Sequence, residues 1–258
     1  MSSSIRENIS ENVNLCSSPS ELKITDIRVA NLTGAPKHCP LIKIYTNQGL
    51  VGYGEVRDAS SATYALMLKS RIIGENPCNV EKIFRRIKQF GGDSRRGGGV
   101  SGLEIALWDL AGKAYGVPLY QLLGGKANDK VRIYVNGWFA GAKEPEEFGQ
   151  KAKEAVKRGV TAMKWDPFGK SYLEISNKEL DTALKCVAAV REAVGNEVDL
   201  LIEGHGRFNI PTGIKIAKEL EQFRPMFFEE PVPPDNLDAL KEVKSRSTVA
   251  ISAGERTY

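Results

Sequence analysis

Three short stretches decide how this chain is read: Leu200-Leu201-Ile202-Glu203-Gly204-His205, Met226-Phe227-Phe228-Glu229-Glu230-Pro231 and Val249-Ala250-Ile251-Ser252-Ala253-Gly254-Glu255. Each is a short apolar run that stops on an acidic residue. The acids recur 26 residues apart, at 203, 229 and 255. Continuous apolar strands separated by helical stripes mark a parallel sheet covered on both faces. One strand–helix repeat therefore separates each carboxylate from the next, and equal spacing predicts equal height on adjacent strands. In a β/α barrel that end of the strands is the face where chemistry is done.

Working outward, Val131–Asn136 and Ala162–Asp166 complete a set of five candidate strands. The stripes Phe148/Ala152/Ala155/Val156, Leu180/Ala183/Leu184/Val187, Ile214/Ala217/Leu220 and Leu237/Leu240/Val243 supply the helices between them. Upstream, Leu22–Leu32 and Leu41–Val56 read as strands, the second folded into a hairpin at Asn47-Gln48-Gly49. Leu103, Ala106, Leu107, Leu110, Ala111 and Ala114 form one helix face that ends at Gly116-Val117-Pro118. Arg95-Arg96-Gly97-Gly98-Gly99 reads as a solvated loop. The expected fold class is α/β: an α+β capping domain over 22–130, then an incomplete (β/α) TIM-type barrel over 131–258. Residues 1–21, polar and without an apolar segment, read as a disordered leader.

Composition sets bounds. The 258 residues carry 36 Lys+Arg against 32 Asp+Glu, a net +4, with 41% hydrophobic residues. Such values exclude collagen and wholesale disorder. With no basic run and no apolar stretch near the ~18 residues of a membrane span, neither nucleic acid nor membrane is expected as a partner. Cys16, Cys39, Cys78 and Cys186 are far apart, without a metal or redox pair, and read as reduced thiols of a cytoplasmic protein. Gly52-x-Gly54 is not a dinucleotide fingerprint, because it lies in a hairpin with no helix opening behind it. Gly124-Gly125-Lys126 is not a phosphate loop, because Ala127 follows it.

Three carboxylates converging on one face repel one another unless a cation neutralises them. All-oxygen ligands favour a hard ion, so Glu203, Glu229 and Glu255 are candidate Mg²⁺ ligands. The competing reading makes each acid a cap on the following helix. Strand alternation places His205 beside Glu203, as a candidate general acid or base, and Lys164 beside Asp166, with Trp165 turned outward. Lys164 reads either as a salt-bridged core residue or as an electrostatic partner of an anionic substrate. Arg207 and Asn209 are candidate substrate-binding residues. His38 reads as structural.

These residues carry a family resemblance. The helix Ser101–Lys113, with Trp108-Asp109 and Gly112-Lys113, followed by Pro118 and Leu122-Leu-Gly-Gly125, resembles the capping domain of the mandelate racemase/muconate lactonizing branch of the enolase superfamily. Tyr134-Val-Asn136-Gly-Trp138, Lys164-Trp-Asp166-Pro-Phe-Gly169 and Glu203-Gly-His205-Gly-Arg207-Phe-Asn209 are similar to its gluconate and galactonate dehydratases. The resemblance implies Mg²⁺ on Glu203, Glu229 and Glu255, with His205 protonating a departing hydroxyl. It also implies catalytic roles for Lys164 and Asp166 and adds Asn136 as a substrate-binding position. Glu230, before a proline, is expected to be extended and to face away. Racemases and cycloisomerases of the family carry Lys-x-Lys where this chain has Lys164-x-Asp166, which argues against those activities. The resemblance implies a sugar-acid substrate and a homo-oligomer when complete. Its proton-abstracting base is a histidine on a seventh strand, oriented by an aspartate on a sixth. The 128 residues from 131 to 258 are about half of the ~250 a full barrel uses, so a fragment, inactive by itself, is expected.

Overall fold

A computed structural model describes residues 18–34, 38–56, 62–90 and 98–256. The chain divides into two compact units between Asp129 and Lys130. The expected loop Arg95–Gly99 is described in part, from residue 98 onward.

The first unit is built on an antiparallel sheet in the order β1 (Ile24–Asn31), β2 (Pro40–Thr46), β3 (Val51–Glu55). Alternate residues of β2, including Ile42 and Ile44, are buried, so one face of the sheet meets the core. Helices α1 (Ala62–Met67), α2 (Lys69–Ile72) and α3 (Val80–Ile87) precede the long α4 (Gly98–Tyr115), and the short α5 (Leu119–Leu122) follows it. The periodic residues Leu103, Ala106, Leu107, Leu110, Ala111 and Ala114 are all buried. Helix α4 ends in a Schellman motif. Gly116, at φ +67°, donates to the Lys113 carbonyl while the Val117 amide reaches back to Gly112 O at 3.0 Å.

The glycines of β3 have a packing function. A Cβ at Gly52 would run into the Ala106 carbonyl, and one at Gly54 into the Gly102 carbonyl, so both let α4 lie directly on the strand. Helix α4 also begins earlier than the sequence predicts. Gly98 and Gly99 are helical, and at Gly99 the backbone of Tyr64 and Ala65 comes too close for a side chain.

The second unit holds four parallel strands in the order β4 (Ala162–Trp165), β5 (Asp199–Glu203), β6 (Phe227–Glu229), β7 (Ile251–Ser252). Helix α6 (Pro145–Lys157) precedes β4, and α7 (Asn177–Val194), α8 (Ile210–Leu220) and α9 (Leu237–Ser245) return the chain between successive strands. This is the expected β/α architecture, part of a barrel. Their starts are chemically marked. Glu144 with Glu147, and Ser176 with Glu179, form capping boxes on α6 and α7, while Asn209 and Asn236 cap α8 and α9. Trp165 turns outward from β4 into the helix layer, edge-on to Trp138 at 5.3 Å.

The fifth expected strand does not form. Val131–Asn136 touches the sheet at one bridge, Val135 with Met163, and Val131 is 80% exposed and Ile133 73%. Among the described residues no strand pairs with its other edge, and one bridge leaves the rest of the run without a ladder. No described helix is long and apolar enough to cross a membrane.

Candidate active site

Glu203 and Glu229 are the last residues of β5 and β6 and are register partners. Both are buried (3% and 8% exposed), and between them lies the ammonium of Lys164, 6% exposed, from β4. Lys164 Nζ donates to Glu203 Oε2 at 2.7 Å and to Glu229 Oε2 at 2.8 Å. Trp138 fixes the base of this lysine by donating from its indole to the Lys164 carbonyl at 3.1 Å, and the Tyr134 ring lies 5.6 Å from Nζ. Lys164 is thus salt-bridged, to two carboxylates at the strand ends.

Burial opposes the charge on Lys164, but its bonds to the two carboxylates outweigh that and raise its pKa. Glu229 is pushed up as well, first by burial, then by the negative charges of Glu203 and Glu255, against the lowering effect of Lys164. One ammonium does not balance two buried carboxylates.

Glu255 is placed differently from what equal spacing predicts. The residue level with Glu229 on the next strand is Ser252, and Glu255 follows three residues later in a turn, its side chain 43% exposed and 3.7 Å from Arg256 Nε. A 26-residue interval counts residues, whereas register counts hydrogen bonds, and β7 is only two residues long. Among the described residues no three His, Cys, Asp or Glu side chains are grouped as a metal centre. The uncompensated negative charge at Glu203 and Glu229, reached by the field of Glu255, together with all-oxygen donors, fits a hard divalent cation.

Glu230 does not lie extended before its proline. Its φ is +41°, and its carboxylate, 2% exposed, pairs with Arg256, whose Nε donates to Oε2 at 2.7 Å and whose Nη2 reaches the same oxygen. The sequence reading missed Arg256 as a functional neighbour. The available signal was a second acid, at 230, directly after a strand-end acid and one repeat before an arginine. Gly206 makes room for this pair, since a Cβ there would strike the Arg256 guanidinium.

His205 comes to the same face by a route other than strand alternation. Strand β5 ends at Glu203, and His205 sits in a turn at φ +52°, a left-handed conformation costly for a residue with a side chain. Its amide donates to Glu203 Oε1 at 2.8 Å, and the next amide, of Gly206, donates to Glu230 O at 2.6 Å. The ring turns to Asp166, with Nδ1 2.7 Å from Oδ2. That bond, ahead of the opposing effect of burial, raises the imidazole pKa.

The three substrate-binding candidates have other partners in the structure. Arg207 gives Nη2 to both carboxylate oxygens of Asp166 (2.8 and 2.7 Å), Nη1 to Gly169 O and Nε to Gly204 O. Asn209 accepts from the Thr212 amide at 2.9 Å as the cap of α8, because its position between turn and helix exposes that amide. Asn136 accepts from the amide of Gly137 and is exposed. His38 lies in the first unit.

Comparisons with known proteins agree with this architecture. The family model for the mandelate racemase/muconate lactonizing enzyme N-terminal domain matches residues 13–124, and the enolase C-terminal domain-like model matches 147–258. The D-gluconate dehydratase of Thermoproteus tenax is 39% identical over 84% of this chain and 45% of its own length. The D-gluconate/D-galactonate dehydratase of Picrophilus torridus is 37% identical over 84% of this chain and 57% of its own. The chain thus spans about half the length of these curated relatives. The crystal structure of an enolase superfamily member from Salmonella Typhimurium superposes with a TM-score of 0.84 at 34% identity, covering 92% of this chain and 68% of that one. On its two domain matches and this shared fold, the chain belongs to the enolase superfamily, in its mandelate racemase/muconate lactonizing enzyme branch.

Proposed function

We propose that this chain carries the capping domain, the metal ligands and the proton donor of a Mg²⁺-dependent sugar-acid dehydratase. The reaction removes the proton α to a carboxylate and expels the β-hydroxyl as water, leaving a 2-keto-3-deoxy acid. The observation that carries the proposal is the buried, under-neutralised pair Glu203/Glu229 at the strand ends, beside His205. The dehydratase names of the relatives support the substrate class. Glu203 and Glu229, joined by Glu255, would hold the ion. When bound, a divalent cation supplies positive charge to the substrate carboxylate as that group takes up the electrons of the broken C–H bond.

The α-proton would pass to a base that these residues do not include; the groups present here handle the charge and the leaving hydroxyl. Lys164, cationic at the same point, attracts the substrate carboxylate and limits repulsion from the glutamates. His205 gives a ring proton to the β-hydroxyl as the C–O bond breaks, a step worth about 10²- to 10⁴-fold in rate. Asp166 in place of a second lysine removes the base that racemisation would use at that strand. We place the protein in the cytoplasm, where a buried thiol such as Cys186 stays reduced, and read it as a homo-oligomer.

An aldonohydroxamate, which mimics the deprotonated acid, tests this without requiring turnover. Calorimetry should show gluconohydroxamate or galactonohydroxamate binding that depends on Mg²⁺ and is lost in Glu203→Gln and Glu229→Gln. Unchanged Mg²⁺ affinity in both variants would sink the proposal.

A further inference from the structure

Three side chains from two loops form a linked unit beside the carboxylate pair. Asp166 follows β4; His205 and Arg207 follow β5. Asp166 Oδ1 accepts from the Phe168 amide (2.9 Å) and from Arg207 Nη2, and Oδ2 accepts from Arg207 Nη2 and faces His205 Nδ1. Arg207 is anchored in turn by carbonyls on both loops, Gly169 after β4 and Gly204 after β5. The loops are also joined along their backbones. The Leu173 amide donates to Arg207 O and the Asn209 amide to Leu173 O, each at 2.9 Å.

We infer that Asp166 is a positioning residue which, clamped by Arg207, fixes His205 with Nδ1–H turned into the protein and Nε2 turned to the substrate. The role rests on reading His205 as the proton donor; the geometry stands apart from it. The His205 side chain is 56% exposed, so packing alone does not hold the ring. A carboxylate at one ring nitrogen selects the tautomer and aims the other nitrogen. The carboxylate must itself be immobile to do so, and a two-oxygen contact from a planar guanidinium provides that. The left-handed backbone at His205 belongs to the same device, since the amide bond to Glu203 holds the residue in the turn that brings the ring to Asp166.

The chain has two histidines, His38 and His205. Protein labelled with ¹⁵N only in histidine therefore gives two imidazole patterns, and His38→Gln assigns them. At a pH where the ring is neutral, wild-type His205 should carry its proton on Nδ1. Asp166→Ala should abolish that preference in favour of Nε2–H, and Arg207→Met should weaken it while leaving Asp166 in place. A wild-type His205 that is protonated on Nε2, or evenly split, overturns the inference without any variant. So does a pattern that Asp166→Ala leaves unchanged in protein whose circular dichroism is native. Failure of hydroxamate binding with the Nδ1–H pattern intact would count against the proposed function and not against this role.

Discussion

Glu203 and Glu229 end neighbouring parallel strands at the same height, and their Oε2 atoms accept from a single ammonium, that of Lys164. Two buried negative charges thus share one positive charge. The arrangement makes the lysine a structural counter-ion as well as a chemical group.

Replacing that counter-ion isolates its structural part. Lys164→Met should destabilise the second unit by about 3–5 kcal/mol at neutral pH, because it leaves buried carboxylates facing each other without a cation. Burial already raises the pKa of Glu229. With the lysine gone, that pKa rises further above its unfolded value, so the variant should regain stability as pH falls and the carboxyl protonates. Urea unfolding of the variant across the acid range checks both the size and the sign; a variant that instead weakens on acidification contradicts the assignment.

Glu230 and Arg256 form a second, separate ion pair. Arg256→Met strands a carboxylate that is 2% exposed and should cost about 3–5 kcal/mol. Arg256→Lys should recover part of that loss. Equal stability of wild type and Arg256→Met in chemical denaturation would show that Glu230 finds another partner.

In the first unit Asp26 accepts from Arg28 and Lys69, the Lys69 bond being the larger influence, and its pKa falls from 3.8 to about 2. A depressed carboxyl stabilises the fold above its unfolded pKa, and that contribution is lost as pH falls through the folded value. Melting temperatures should therefore drop between pH 3.8 and about 2 in wild type. Asp26→Asn should flatten that part of the profile, and an unaltered slope would discount the pair.

Gly54 tests the contact between β3 and α4. Gly54→Ala puts a methyl group against the Gly102 carbonyl and should cost about 1–3 kcal/mol, read by thermal melting. Gly74→Ala serves as a control for backbone strain alone, because Gly74 has positive φ and open space around it.

Asn209→Ala removes the α8 cap and should cost about 1 kcal/mol, with Asn209→Asp restoring most of it. A stability loss in the alanine variant that aspartate does not repair would mean that the residue does something other than cap.

Much of the fold was legible in the residues. The helix face of α4 and the stripes of α6 to α9 are periodic, and β5 and β6 are continuous apolar runs, so local pattern and tertiary burial agree at Leu103, Leu180 or Ile202. Val131–Asn136 has the same apolar texture, yet a strand exists only where a neighbour completes its ladder, and one bridge at Val135 is all it obtains.

Residue types and spacing were enough to name Glu203, Glu229, Lys164, Asp166 and His205 as one chemical group, because each follows or ends an apolar run and strand ends gather on one face. What those side chains touch was a matter for the folded chain. Hydrogen-bond register, not residue count, set Ser252 rather than Glu255 level with Glu229. A left-handed turn, not strand alternation, aimed His205. Arg207 was drawn to Asp166 and Arg256 to Glu230, since a buried or half-buried charge takes the nearest partner three-dimensional packing offers it. Linear order carries the kinds of groups present; their pairing depends on distances that exist only after the strands have aligned.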